Sequence, residues 1–225
     1  MYIAGLPTRR VNLEGKSHYD NLKVLHFPTW DYTNQAQRMS VLRHIASTAG
    51  RNPKLATFVV GIIKKAKVKP RDYKGQATAL LKWVQKNIYY INEPAERLQD
   101  PMYTLKVGYG DCDDMIILLM AMLESINLKW KFVLVAKQKN GKYTRWIEGT
   151  PLPTDKELKW AHIYGMVGDN PYTPKKWFFI EPTLKVPFGW DVVHAQGSGL
   201  LPELGNIPDY ASSKIVRTEP PPPKK

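Results

Sequence analysis

Cys112 is the only cysteine in the chain, and it stands where the turn Gly108-Tyr109-Gly110-Asp111 gives way to the apolar run Met115 to Leu123. A thiol in the first turn of a helix lies near outward-pointing backbone N–H groups and the positive end of the dipole, which favours the nucleophilic thiolate. Asp111 suits the N-cap, and Asp113 and Asp114 suit the first turn. Their negative charge opposes a thiolate, so a nearby imidazolium would have to restore it. His162 lies in the strand-like run Trp160-Ala161-His162-Ile163-Tyr164, placed after the helix, where a sheet could present an imidazole to the helix N-terminus. Glu181 closes the apolar run Phe178-Phe179-Ile180 with a lone carboxylate that could fix the tautomer of that imidazole. Each residue alone also fits an ordinary place: a small buried cysteine at a helix start, a satisfied core histidine, an edge-strand acid. Together they supply a nucleophile, its base and an orienting acid. That set would attack a carboxamide carbonyl and pass the acyl group from a thioester to water or to an amine. The oxyanion would be held by the Cys112 backbone N–H and a second donor, for which Tyr109 is a candidate by proximity alone.

Those three residues must be carried by separate elements. From Asn34 to Ala49, Met39, Leu42, Ile45 and Ala46 share one helical face, and Gly50 with Pro53 stops the helix. A second helix is predicted over Pro53 to Lys67, with Leu55, Phe58, Val59, Ile62 and Ile63 inward and lysines at its C-terminal end. A third, between Asp72 and Tyr90, carries Ala77, Leu80, Leu81, Val84 and Ile88 at three- and four-residue spacing. Pro94 and Pro101 mark a loop, and the buried helix after Cys112 follows. Beyond Leu128 the pattern changes to strands. Phe132 to Val135 are strand formers, Asn140-Gly141 signals a hairpin, and a partner strand is expected over Lys142 to Ile147. Trp160 to Val167 and Trp177 to Ile180 are two more β-rich runs, and their short loops imply antiparallel pairing. The reading is an α+β fold in which a helical lobe and a central cysteine-bearing helix pack on an antiparallel sheet. Residues 1–33 read as an irregular arm with short extended pieces, 34–199 as the core, and 200–225 as an extended tail ending in Pro220 to Pro223 and two lysines.

Composition narrows the classes. Nine apolar residues in a row are about half of the roughly 18 a membrane-spanning helix needs, and no stretch near Met1 has signal-peptide form. One cysteine excludes an intramolecular disulfide framework and a zinc site built on several thiolates. No cofactor or metal is expected, since the acids around Cys112 lack EF-hand spacing. With 33 Lys plus Arg against 20 Asp plus Glu, the formal charge of +13 favours an anionic partner. No nucleic-acid motif accompanies the scattered basic residues, so charge alone supports DNA or RNA binding.

Gly110-Asp111-Cys112-Asp113-Asp114, the following helix to Leu123-Glu124-Ser125-Ile126, then His162-Ile163-Tyr164, then Trp177 to Thr183, resemble the three signature blocks of the transglutaminase-like superfamily in order and spacing. Asp100-Pro101-Met102-Tyr103-Thr104-Leu105 before the cysteine and Pro187-Phe188-Gly189-Trp190 after the acid are similar to phage-encoded members. The similarity runs from about Gln76 to Trp190. It implies a papain-related arrangement, a Cys112/His162/Glu181 triad, and a peptide or protein amide as substrate. It also implies a protein of the host cytoplasm during assembly and of the phage virion, with neighbouring virion proteins as partners, and the +13 charge favours acidic surfaces on them. The rival expectation is a structural connector that uses the fold without strong catalysis. Glu181 departs from the aspartate usual in the last block. The extra methylene moves the carboxylate by about one bond length, and a misplacement near 1 Å can cost about a hundredfold in rate.

Overall fold

The computed structural model describes residues 2–4, 24–26, 34–91, 98–153 and 158–192. The 200–225 tail and most of the 1–33 arm lie outside the described residues. Within the arm, strand β1 (Tyr2–Ala4) pairs antiparallel with β2 (Val24–His26). The helical lobe comprises α1 (Gln35–Gly50), α2 (Pro53–Lys65) and α3 (Tyr73–Asn87). Asn34, Asn52 and Asp72 cap them, each side chain accepting a backbone N–H of the first turn.

The cysteine-bearing helix is α5 (Cys112–Glu124), and every residue from Cys112 to Leu123 is buried. A helix apolar on all sides must be enclosed on all sides. Helices α1, α3 and α4 (Pro101–Val107) pack around it, and the sheet closes the remaining face. Burying each of its Ile, Leu and Met side chains is worth roughly 1.5–3 kcal/mol, which makes α5 the main source of cohesion between the helices and the sheet.

The sheet runs in the order β6-β5-β7-β8, all antiparallel, from β5 (Trp130–Lys137), β6 (Tyr143–Ile147), β7 (Lys159–Gly168) and β8 (Trp177–Ile180). Phe132, Leu134, Ile163, Val167 and Ile180 join the α5 core, whereas Val133, Val135, Tyr164 and Met166 join a second cluster under Leu184, Val186 and Val192. Burial on both faces explains why β5 reads as a continuous apolar run instead of alternating. Gly165 sets the approach of β7 to α5: a Cβ there would lie 1.8 Å from Met120 Cε. The hairpin between β5 and β6 closes with Gln138 N–H donating to the Lys142 carbonyl. Gly141 occupies the positive-φ position that such a three-residue loop requires.

Four local expectations are corrected. The third helix ends at Asn87, because Ile88 turns extended, and Tyr89–Tyr90 forms a strand, β3, parallel to β4 (Tyr109–Gly110). The second ends at Lys65 instead of Lys67, which takes a positive φ. Pro101 starts a helix instead of sitting in a loop: it is the first residue of α4, where its missing N–H costs nothing, and Asp100 caps it. Phe58 is 39% exposed on α2, its ring meeting Trp83 edge-on at 5.0 Å.

Candidate active site

Cys112 is the first residue of α5, 1% exposed. Around it the three aspartates divide the work. Asp111 Oδ1 accepts the backbone N–H of Asp113 (2.9 Å) and of Asp114 (3.2 Å), and Asp114 Oδ2 accepts the N–H of Asp111, which makes a capping box with aspartate in the return position. Asp114 Oδ1 also accepts the Gln99 N–H at 2.7 Å. Asp113 pairs with Arg38 of α1, and its Oδ1 lies 3.9 Å from the Cys112 sulfur, which donates toward it. The Arg38 guanidinium thus offsets an acid that would otherwise oppose a thiolate.

His162 lies on β7 directly beyond a register shift: His162 pairs with Val135, while the next partner, Ala136, pairs with Trp160. Ala161 is the extra residue, and such a bulge re-aims the side chain beside it. The imidazole is enclosed. Its Nε2 stands 2.6 Å from Glu181 Oε2, with side-chain exposures of 1% and 0%. A carboxylate at that distance accepts a proton, so Nε2 carries the hydrogen and Nδ1 the lone pair. Nδ1 is buried and has no hydrogen-bond partner among the described residues. The His162 ring also stacks on Tyr164, 6.2 Å between centroids and 9° from parallel. The Tyr164 hydroxyl donates to Asp191, which Arg145 pairs at 2.6 Å.

Glu181 follows β8 immediately. Its Oε1 accepts the N–H groups of Thr183 (2.7 Å) and Leu184 (3.3 Å), so both carboxylate oxygens are engaged. Gln85 of α3 clamps the same segment, its amide lying 2.8–3.0 Å from the carbonyls of Glu181, Leu184 and Val186. The structure therefore joins His162 to Glu181, and α5 packs against β7. It does not join Cys112 to His162 by a hydrogen bond, since Nδ1 has no partner there.

Tyr109, the oxyanion candidate, is half-buried on β4 opposite Tyr89. Three residues that sequence reasoning passed over contact the segments carrying the site: Arg38, Gln85 and Tyr90. Their partners stand far away in the chain, and no local pattern announces them. Tyr90 pairs with Gly110, two residues before Cys112. No group of three or more His, Cys, Asp or Glu side chains suited to a metal occurs among the described residues, and no described helix is long and apolar enough to cross a membrane.

An α+β core with a cysteine at the start of its central helix, facing an antiparallel sheet, defines a papain-like thiol fold. The transglutaminase-like superfamily model matches residues 57–182, more than half of the chain, and the chain belongs to that superfamily. No curated protein matches it. Two solved structures share similarity at the level of fold. A candidate cysteine protease from Cytophaga hutchinsonii is 16% identical, with a TM-score of 0.38, over 60% of this chain and 38% of that one. A candidate protease from Parabacteroides distasonis is 12% identical, with a TM-score of 0.43, over 66% of this chain and 26% of that one. The chain thus spans well under half the length of either.

Proposed function

We propose that the chain is a thiol enzyme in which Cys112 attacks a carboxamide carbonyl, His162 takes and returns the proton, and Glu181 holds the imidazole. The observation that carries this is the buried His162–Glu181 contact at 2.6 Å, which leaves Nδ1 as an unoccupied base. In the reaction, Nδ1 accepts the thiol proton and the sulfur adds to the carbonyl carbon. The amine leaves with the proton from His162, and water or a second amine cleaves the thioester. Tyr109 is the second oxyanion donor considered from the sequence. The substrate class is a peptide or protein amide, and residues 34–199 form the catalytic core between a 1–33 arm and a 200–225 tail.

The flanking motifs favour a phage-type protein, present in the host cytoplasm during assembly and carried in the virion, where its +13 charge suits neighbours with acidic surfaces. A second reading, a virion connector with weak catalysis, draws on the absence of sustained periodicity in the sequence of residues 1–33 and 200–225 and on glutamate at position 181. The test is alkylation of Cys112 by iodoacetamide at neutral pH in wild type and His162→Ala. A wild-type rate above that of a model thiol, falling in the variant, supports the enzyme. Equal rates would refute activation by the histidine.

A further inference from the structure

Tyr90 carries a buried hydroxyl on the strand beside the nucleophile's turn, and that hydroxyl bonds to nothing among the described residues. Strand β3 lies parallel to β4, with Tyr90 opposite Gly110 and the Ile91 N–H donating to the Gly110 carbonyl at 3.0 Å. That pairing fixes Tyr90 beside the entry to α5, two residues from Cys112. Its Oη is shielded from solvent and has no hydrogen-bond partner among the described residues. Buried polar groups are nearly always satisfied, and one that is not commonly waits for a ligand or a reacting group. Its surroundings also keep it a donor. Burial first, then the negative charges of Cys112, Asp111 and Asp113, push its pKa upward, so the hydroxyl keeps its proton at neutral pH.

From this geometry we infer that Tyr90 is an oxyanion donor of the Cys112 site, its hydroxyl hydrogen-bonding the oxygen that becomes negative when sulfur adds to a carbonyl. The inference rests on the thiol reading above. As the S–C bond forms, the carbonyl π pair moves to oxygen, and Tyr90 O–H donates to that oxygen without surrendering its proton. When the pair returns, the C–N bond breaks, the amine leaves with the proton held by His162, and the Tyr90 contact weakens. A donor enclosed in this way acts mainly on the transition state, because it needs no reorganisation when charge develops.

The experiment compares two reactions of the same sulfur in the full chain. Acylation by p-nitrophenyl acetate passes through an oxyanion, whereas alkylation by iodoacetamide does not. Tyr90→Phe should slow Cys112-dependent acylation by about 10²-fold, the scale for loss of one oxyanion donor, and change alkylation by less than about threefold. Its thermal midpoint should hold, since the lost oxygen bonds nothing among the described residues. Difluorotyrosine at position 90, which retains the donor, should acylate at close to the wild-type rate and guards against a folding defect in the phenylalanine variant. Equal acylation by wild type and Tyr90→Phe, equal slowing of both reactions, or a loss confined to Tyr109→Phe would each overturn the assignment. If wild type and Cys112→Ala are acylated alike, the thiol reading itself fails and Tyr90 falls with it.

Discussion

Glu181→Gln changes one atom and should reverse the polarity of the imidazole. In the native protein Oε1 accepts two backbone N–H groups, from Thr183 and Leu184, and Oε2 accepts from His162 Nε2 at 2.6 Å. A glutamine has a single acceptor oxygen. Placing its NH₂ against Thr183 and Leu184 would set donor against donor, so the oxygen stays there and the NH₂ faces His162. Nε2 must then accept, the ring proton moves to Nδ1, and Nδ1 can no longer take the thiol proton. Replacing the acid of a serine-protease triad by its amide in this sense lowers kcat by about 10⁴, equivalent to about 5.5 kcal/mol in the barrier. We expect acyl transfer by Glu181→Gln to fall by 10³ to 10⁴ on that basis. Iodoacetamide alkylation at pH 7 should fall to the rate of an unactivated thiol. Stability should drop by only about 1 kcal/mol, because a hydrogen bond persists and only its charge assistance is lost. Glu181→Ala, which strands Nε2 and two N–H groups in the interior, should lose roughly 3 kcal/mol or more in urea titration. Alkylation of Glu181→Gln at the wild-type rate, with the fold intact, would refute the tautomer argument.

Two further outcomes test the packing and the charge state. Gly165→Ala puts a Cβ 1.8 Å from Met120 Cε and 3.1 Å from the Lys131 carbonyl, and should cost about 1–3 kcal/mol by urea unfolding. Adding Met120→Ala should recover part of that loss as a non-additive coupling, and strict additivity of the two changes would contradict the contact. Burial raises the Asp100 carboxyl from 3.8 to about 6, against the backbone N–H groups of Met102 and Tyr103 that lower it. The folded value lies above the unfolded one, so the folded state binds the proton more tightly, and this group's contribution is full below about pH 4 and lost as pH rises through about 6. Asp100→Asn retains a cap oxygen and should gain on wild type across that window, by on the order of 2 kcal/mol above pH 7, less what residual exposure screens. A stability difference independent of pH would show that Asp100 does not titrate as described.

Periodicity located α1 and α3, whose apolar residues recur at spacings that a core enforces, and strand-forming runs with hairpin signals located β5 to β8. Trp177 to Ile180 coincides with β8. It failed where short elements owe their form to partners distant in the chain. Tyr89 and Tyr90 follow the last periodic residue of the third helix, Ile88, but pair as β3 with Tyr109 and Gly110, and α4 has too few residues to show a period. The blocks carrying His162 and Glu181 could be picked out as a histidine in one apolar run and a carboxylate closing another. What holds them in place could not. Gln85 looks like a solvent-facing helix residue until the carbonyls of Glu181, Leu184 and Val186 close on it, nearly a hundred positions later. Arg38 likewise gives no hint of Asp113.

The two arginines of α1 bear on where the functional unit begins. The segment that matches the superfamily starts at residue 57, yet α1 lies wholly before it. Arg38 reaches Asp113 beside the nucleophile, while Arg43 holds Glu148 at 2.6 Å and covers Trp130 at 4.0 Å. Helix α1 is thus a strap from the cysteine helix to the edge of the sheet. A fragment cut at the family boundary would retain all three candidate site residues and expose the flank of α5 that Leu42, Ile45 and Ala46 now cover. For engineering or domain transfer, the packed module is longer than its signature and includes α1 from its Asn34 cap.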